Sequence, residues 1–252
     1  MLVFIVPLRS PETCSDWKKV SYLCNSTLSS LIQQSSGKYR ILLICNVPPL
    51  DLIIDEHITV VQESFLIPNS WEEGIGDIYR KIKRGMVEIK KLRLIEPDSS
   101  AFVMRVDADD LVSNRLVSFT ERYPKSDGWY FLTGYIYETE KNKLFLRPRF
   151  TAVSGTSNIF RCSYYDLPES MDTPSSEWLE PVFQHINANK WLKPRGRKLT
   201  PLPFPGAVYR INSQNMSSTH IEDGRFSSPK SILWKILFKR KLTSKIISEF
   251  RF

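Results

Sequence analysis

Leu2 to Val6 is an unbroken apolar run that gives way at Pro7 and Arg9, the pattern of a strand covered on both faces. A helix is expected next. Ser15 or Asp16 can cap it, and Trp17, Val20, Leu23 or Cys24, Leu28 and Leu31 recur at helical spacing until Ser35-Ser-Gly37 ends it. Arg40 to Cys45 is a second apolar strand, stopped by Asn46-Val-Pro-Pro49. Strand, helix and strand in this order predict a parallel crossover unit.

Ile58 to Val61 predicts a short third strand. From Ile75 to Leu94, one helical face carries Ile75, Ile78, Tyr79, Ile82, Met86 and Ile89, and the opposite, polar face carries Asp77, Lys81, Arg84 and Glu88. Ala101 to Val106 predicts the fourth strand, and Asn114 to Tyr123 the next helix. After Asp127-Gly128 the texture changes. Trp129 to Tyr137 and Lys143 to Leu146 are expected as antiparallel strands around the polar turn Glu138 to Asn142. The fold class expected is α/β: a Rossmann-like, mostly parallel central sheet flanked by helices, then a mixed antiparallel back half and a basic C-terminal helix.

The fourth strand runs into Asp107-Ala-Asp-Asp110. Residues two apart on an extended chain project to one side, so Asp107 and Asp109 can converge on one ion while Ala108 points away. Like charges 4 Å apart repel by roughly 4 kcal/mol in a partly dry site. Packing Asp107, Asp109 and Asp110 together therefore calls for a counter-cation or full solvation, with Arg105 the only local relief. A carboxylate-x-carboxylate is ordinarily a solvated turn. Glu96-Pro-Asp98 and Glu138-Thr-Glu140 have that spacing too, but neither follows a buried strand. Carboxylate oxygens suit Mg or Mn. Ligands of open parallel sheets sit beyond the carboxyl ends of the strands, an edge that Arg9, Asn46, Asp107 and Asp109 share.

With 42% hydrophobic residues, the 252-residue chain can bury a full core. No Gly- or Ser-dominated linker divides it, so one domain over residues 1–228 with a tail at 229–252 is the simplest partition. The opening apolar run is too short for a signal peptide, and no run approaches the ~18 residues that span a bilayer. Cys14, Cys24, Cys45 and Cys162 form no CxxC pair, which argues against zinc and fits a reducing cytoplasm. Two glycosylation sequons, at Asn25 and Asn215, carry little weight without a secretory signal. Of the net charge of +8, seven basic residues and one acid from Lys230 onward place +6 in the tail, leaving +2 for the body. A nucleic-acid binder would spread its basic face over the fold, so nucleic acid is not expected as a partner.

The opening Phe4-Ile-Val-Pro7, the strand Leu42-Leu-Ile-Cys45 and above all Phe102-Val-Met-Arg-Val-Asp-Ala-Asp-Asp-Leu111 resemble glycosyltransferases with the A-type (GT-A) fold, similar to family 2 and related bacterial enzymes. The resemblance covers about the first 135 residues. Beyond it, Ser154 to Arg161 and Tyr209-Arg-Ile-Asn212 with Asn215-Met-Ser217 are similar to later segments of such enzymes. It implies a nucleotide-sugar-binding half at 1–135, an acceptor half at 136–228, and transfer of a sugar from a nucleotide-diphosphate donor to a glycan or lipid-linked acceptor, as in polysaccharide biosynthesis. Carried over by position, Asp107 contacts the ribose or metal-bound water and Asp109 ligates a Mn or Mg ion bridging the two phosphates. Pro7, Arg9, Asn46, Lys81 and Arg210 complete the donor site, and His220 is a candidate late metal ligand. Lys81 reads equally as a solvated partner of Asp77, four residues back. Relatives often carry an acid after the second strand to bind the base, where this chain has Cys45-Asn46.

An inverting reaction needs a carboxylate to take the acceptor hydroxyl's proton, and the candidates are Glu177, Glu180 and Asp172. Thr173-Pro174 reads as a helix cap and first-turn proline, so Glu177 has an alternative use in complementing the helix dipole. In the tail, Ile232 to Phe238 followed by Lys239-Arg-Lys241 suits an anionic membrane surface, and also suits a helix packed on the body. Two other readings compete with a transferase. A haloacid-dehalogenase-like phosphatase also places Asp-x-Asp after a strand, though normally the first. A catalytically silent membrane or assembly module would keep the fold and work through its tail.

Overall fold

The computed structural model describes residues 1–174, 180–212 and 229–252. The element order opens with β1 (Leu2–Pro7), α1 (Trp17–Ile32), β2 (Tyr39–Cys45), β3 (Ile58–Gln62), α2 (Trp71–Lys91) and β4 (Ser100–Arg105). It continues with β5 (Leu111–Val112), α3 (Leu116–Arg122), β6 (Gly128–Tyr130), β7 (Thr133–Glu138), β8 (Lys143–Pro148) and β9 (Asn158–Ser163). The remaining elements are α4 (Ala188–Leu192), β10 (Thr200–Pro201), β11 (Ala207–Ile211), α5 (Pro229–Phe238), β12 (Lys239–Arg240) and α6 (Ser244–Phe250).

Every residue of β1 is buried because the strand is covered on both faces. Leu2, Phe4 and Val6 pack with Val20, Cys24, Leu28 and Leu31 of α1. Val3 and Ile5 meet Ile82, Met86 and Ile89 of α2. The helix lies so close that a Cβ on Gly85 would come within 2.7 Å of the Ile5 side chain. Asp16 caps α1, accepting from Lys19 N at 2.9 Å, and Ser70 caps α2 through Glu73 N.

The main sheet has seven strands in the order β10-β6-β9-β4-β1-β2-β3. All run parallel except β9, which pairs antiparallel with both β4 and β6. This is the mostly parallel, helix-flanked α/β sheet expected. The chain winds outward from β1 through β2 to β3, then crosses to β4 on the other side of β1, so the topological switch lies between β1 and β4.

The second sheet has the order β12-β8-β7-β11-β5, and its β7 and β8 form the expected hairpin. The expected single strand from Trp129 to Tyr137 is instead two. β6 joins the main sheet and β7 the second, and Phe131 between them is buried and donates to the Ser157 carbonyl at 2.8 Å. Gly128 enables this edge: its φ is +127°, and a Cβ there would stand 2.1 Å from the Ile159 carbonyl oxygen. Strands from both sides of residue 135 enter both sheets, so the two halves interleave.

The basic tail packs on the body. Lys239 and Arg240 pair antiparallel with Phe145 and Leu144 of β8, Phe250 is buried, and Glu249 accepts from the Ser113 hydroxyl at 2.6 Å. All four cysteines are unpaired. Among the described residues no helix is long and apolar enough to cross a membrane.

Candidate donor site at the switch point

A cleft opens beyond the carboxyl ends of β1 and β4. Its walls include Pro7 and Arg9 after β1, Asp77 and Lys81 from α2, Arg105, Asp107 and Asp109 after β4, and Tyr209 from β11. Five of the residues expected from the sequence, Pro7, Arg9, Lys81, Asp107 and Asp109, are thus brought together.

Asp107 is held by two residues, Arg105 and Thr156. Arg105 donates to its Oδ1 through Nε at 2.8 Å and Nη2 at 2.7 Å, and the Asp107 N–H donates to Thr156 Oγ1 at 2.9 Å. Gly155 leaves room for this clasp, since a Cβ there would lie 2.6 Å from Arg105 Cζ and 2.8 Å from Asp107 Oδ2. Tyr79 of α2 hydrogen-bonds Arg105, and burial raises its phenol pKa.

Asp109 is partly buried. Burial, and then the charge of Asp107, push its carboxyl up to about 6, with Arg210 and Asn212 acting in the other direction. Arg210 stands behind the acidic turn and does not line the cleft. Its Nε donates to the Asp109 carbonyl, Nη1 to Ser26 Oγ at 2.9 Å, and Nη2 to the Leu23 carbonyl at 2.8 Å and Thr27 Oγ1 at 3.1 Å. Arg210, expected to touch a nucleotide, instead makes these four hydrogen bonds inside the protein and is absent from the cleft wall.

Asp110 meets neither alternative posed for the triplet, solvation or a counter-cation. It is fully buried, Ser154 donates to its Oδ2 at 2.9 Å, and burial, with Asp109 and Asp107 adding, raises its carboxyl well above the usual range. Burial and acidic neighbours both disfavour its charged form, which eases the repulsion within the triplet.

The polar face predicted for α2 is also corrected, because Asp77, Lys81 and Glu88 are buried. Lys81 Nζ donates to Asp77 Oδ2 at 2.7 Å in the cleft wall, and burial lowers its pKa against the pull of Asp77. The two charges of opposite sign, one turn apart, offset each other's loss of water, which hydropathy periodicity does not register. Asn46 is half-buried outside the cleft wall, its amide donating to the Phe65 carbonyl at 2.8 Å.

Of the proposed proton acceptors, Asp172 is exposed, its backbone N–H held by Ser170 Oγ at 3.1 Å. Glu180 is partly buried within electrostatic reach of Tyr79. Glu177 and His220 lie outside the described residues. His185, which has no ligand spacing in the sequence, interacts electrostatically with Arg105 and Asp107; burial lowers its pKa, and its Nδ1 is bonded to the Thr151 carbonyl. Its backbone carbonyl accepts from Asn158 Nδ2 at 3.1 Å. Sequence reasoning missed Tyr79, Thr156 and His185 as neighbours of the acidic turn. The run Ser154-Gly-Thr-Ser157 was the available signal, small hydroxyl residues just before a strand.

Among the described residues no three His, Cys, Asp or Glu side chains converge as a metal cage. Two carboxylates in an open cleft nonetheless fit a hard cation that takes its other ligands from substrate phosphates and water.

No family model and no curated protein matches the chain. Solved structures similar to it include S. aureus TarS, at 11% identity and a TM-score of 0.41 over 87% of this chain. The chain spans 41% of the length of that TarS chain. They also include the Francisella tularensis 2-C-methyl-D-erythritol 4-phosphate cytidylyltransferase IspD, at 12% identity and a TM-score of 0.42, covering 85% of this chain and 92% of that one. A 4-diphosphocytidyl-2C-methyl-D-erythritol synthase is similar at 11% identity and a TM-score of 0.43, covering 88% and 96% of the two chains.

Proposed function

We propose that the protein is a glycosyltransferase that takes its sugar from a nucleotide-diphosphate donor and uses Mn or Mg. The observation that carries this reading is the meeting of Asp107, Asp109, Arg9 and Arg105 in one cleft at the switch point of a parallel sheet. Asp107 and Asp109 would hold the ion. Bound there, it supplies Lewis acidity to the departing diphosphate.

The protein's own residues do the rest. Thr156 and Arg105 fix Asp107, and the Arg210 guanidinium fixes the backbone of Asp109, so the turn is preorganised before any ligand arrives. Arg9, whose Nε is steadied by Thr13 Oγ1 at 3.1 Å, presents positive charge to the phosphates. The acceptor is a glycan or lipid-linked hydroxyl. Its oxygen bonds to the anomeric carbon as the bond to the diphosphate breaks, the electron pair leaves with the diphosphate, and Glu180 or Glu177 takes the proton.

The test is calorimetry of nucleoside diphosphates with and without Mn, alongside Mn-dependent hydrolysis or transfer of nucleotide sugars. Mn-dependent binding and turnover are expected in the wild type, with turnover falling about 100-fold or more in Asp109→Ala. A protein that binds no nucleotide, or whose turnover ignores Asp109, refutes the assignment. Binding without turnover would favour the silent module.

A further inference from the structure

Asp77 and Lys81 stand one turn apart on α2, both buried in the cleft wall. The ammonium donates to Asp77 Oδ2 at 2.7 Å, which leaves Asp77 Oδ1 buried with no hydrogen-bond partner among the described residues. An unmet buried carboxylate oxygen is costly, and one in a cleft wall is met when a ligand brings a donor. Lys81 is seated 5.4 Å from the centroid of the Phe65 ring and lies within electrostatic reach of Cys45, the last residue of β2. β2 and β4 flank β1, so Cys45 and the acidic turn are two strand spacings apart, roughly 10 Å. Asp77, Lys81, Asp107 and Asp109 line one cleft, so a nucleotide with its diphosphate at the acidic turn has Asp77 and Lys81 within reach of its base.

We propose that Asp77 and Lys81 read the nucleobase edge, Asp77 Oδ1 accepting from a ring N–H and Lys81 Nζ donating to the adjacent carbonyl, as on the imide edge of uracil or the lactam edge of guanine. This rests on the nucleotide-donor reading above. A carboxylate only accepts and an ammonium only donates, so the ligand must present a donor beside an acceptor. A carbonyl oxygen takes hydrogen bonds over a broad range of directions, whereas a ring nitrogen offers one in-plane lone pair. The carbonyl suits an ammonium already fixed by Asp77. Asn46, after the second strand, helps to seat Phe65 and does not line the cleft.

The test titrates the full chain, with Mn present, with UDP, GDP, CDP, ADP, N3-methyl-UDP and N1-methyl-GDP, and repeats the series on Asp77→Asn. That variant keeps the shape, and thermal unfolding checks that it folds. Its amide oxygen can keep the bond to Lys81, so the unpartnered atom changes from acceptor to donor. In the wild type, UDP or GDP should bind about 10-fold or more tighter than CDP and ADP, and methylating its ring nitrogen should cost about 10-fold. The methyl penalty should vanish in Asp77→Asn. The proposal is overturned if the methylated nucleotide binds the wild type as well as its parent, if CDP or ADP binds tightest, or if Asp77→Asn keeps the penalty. Should Asp77→Asn fail to fold, the wild-type methyl comparison decides alone. Absence of all nucleotide binding defeats the donor reading too, whereas binding indifferent to Asp77 defeats this inference only.

Discussion

Arg210 and Lys81 are both buried cations beside acidic residues, yet their hydrogen bonds differ. Arg210 spends its guanidinium on Ser26, Thr27 and the carbonyls of Leu23 and Asp109, all within the protein. Among the described residues Lys81 makes one hydrogen bond, to Asp77, and it lies in the cleft wall. A planar fork with four hydrogen bonds into the protein is a structural tie, whereas an ammonium with one bond keeps donors for a ligand. Burial alone does not separate the two roles; the use of the donors does.

The largest effect expected is on stability. Arg210→Met should cost about 3–5 kcal/mol by denaturant titration, because it strands the buried carbonyls and hydroxyls and exposes Asp109 to Asp110 and Asp107 without relief. A loss below about 1 kcal/mol would break the contrast. Thr156→Val should cost about 1–3 kcal/mol by removing the acceptor of the Asp107 N–H, and should weaken Mn-nucleotide binding in calorimetry by loosening the turn. The double variant Asp77→Leu with Lys81→Met removes both buried charges and should stay within about 1 kcal/mol of wild type while losing nucleotide binding. A double variant that unfolds would make Lys81 another tie.

The smallest effect concerns His185. Burial lowers its pKa in the folded protein, so the unfolded chain takes up its proton first as pH falls. The stability it contributes is present above the unfolded value of about 6.5 and is lost as pH falls from there through the lower, folded value. Because the raised carboxyls of Asp109 and Asp110 act in the opposite direction over the same range, the readout is the difference in unfolding free energy between wild type and His185→Gln from pH 8 to 5, which should shrink as pH falls. An unchanged difference would mean that this imidazole does not titrate differently on folding.

What the sequence made legible follows its physics. β1, β2 and β4 are continuous apolar runs, and Asp107 with Asp109 follows the last of them, so the frame and the acidic turn were readable from local pattern. The buried face of α2 was not, since Asp77 and Lys81 are polar by type and their mutual pairing is a tertiary fact. The supports of the turn were hidden for another reason. Thr156 meets Asp107 across 49 residues and Arg210 meets Asp109 across 101, distances over which no periodicity carries a signal. The burial of Asp110, expected only as a third charge to be neutralised or solvated, was hidden because spacing does not say which carboxylate turns inward. The Trp129 to Tyr137 run hid its break because Phe131 and Leu132 are apolar like the strands they separate.

Lys239 and Arg240 cover the outer edge of β8, which would otherwise present unpaired backbone groups to any passing strand. The short new edge carries a lysine and an arginine, charges that discourage pairing with another chain. Removal of the tail should leave a protein that precipitates more readily while its acidic turn remains in place.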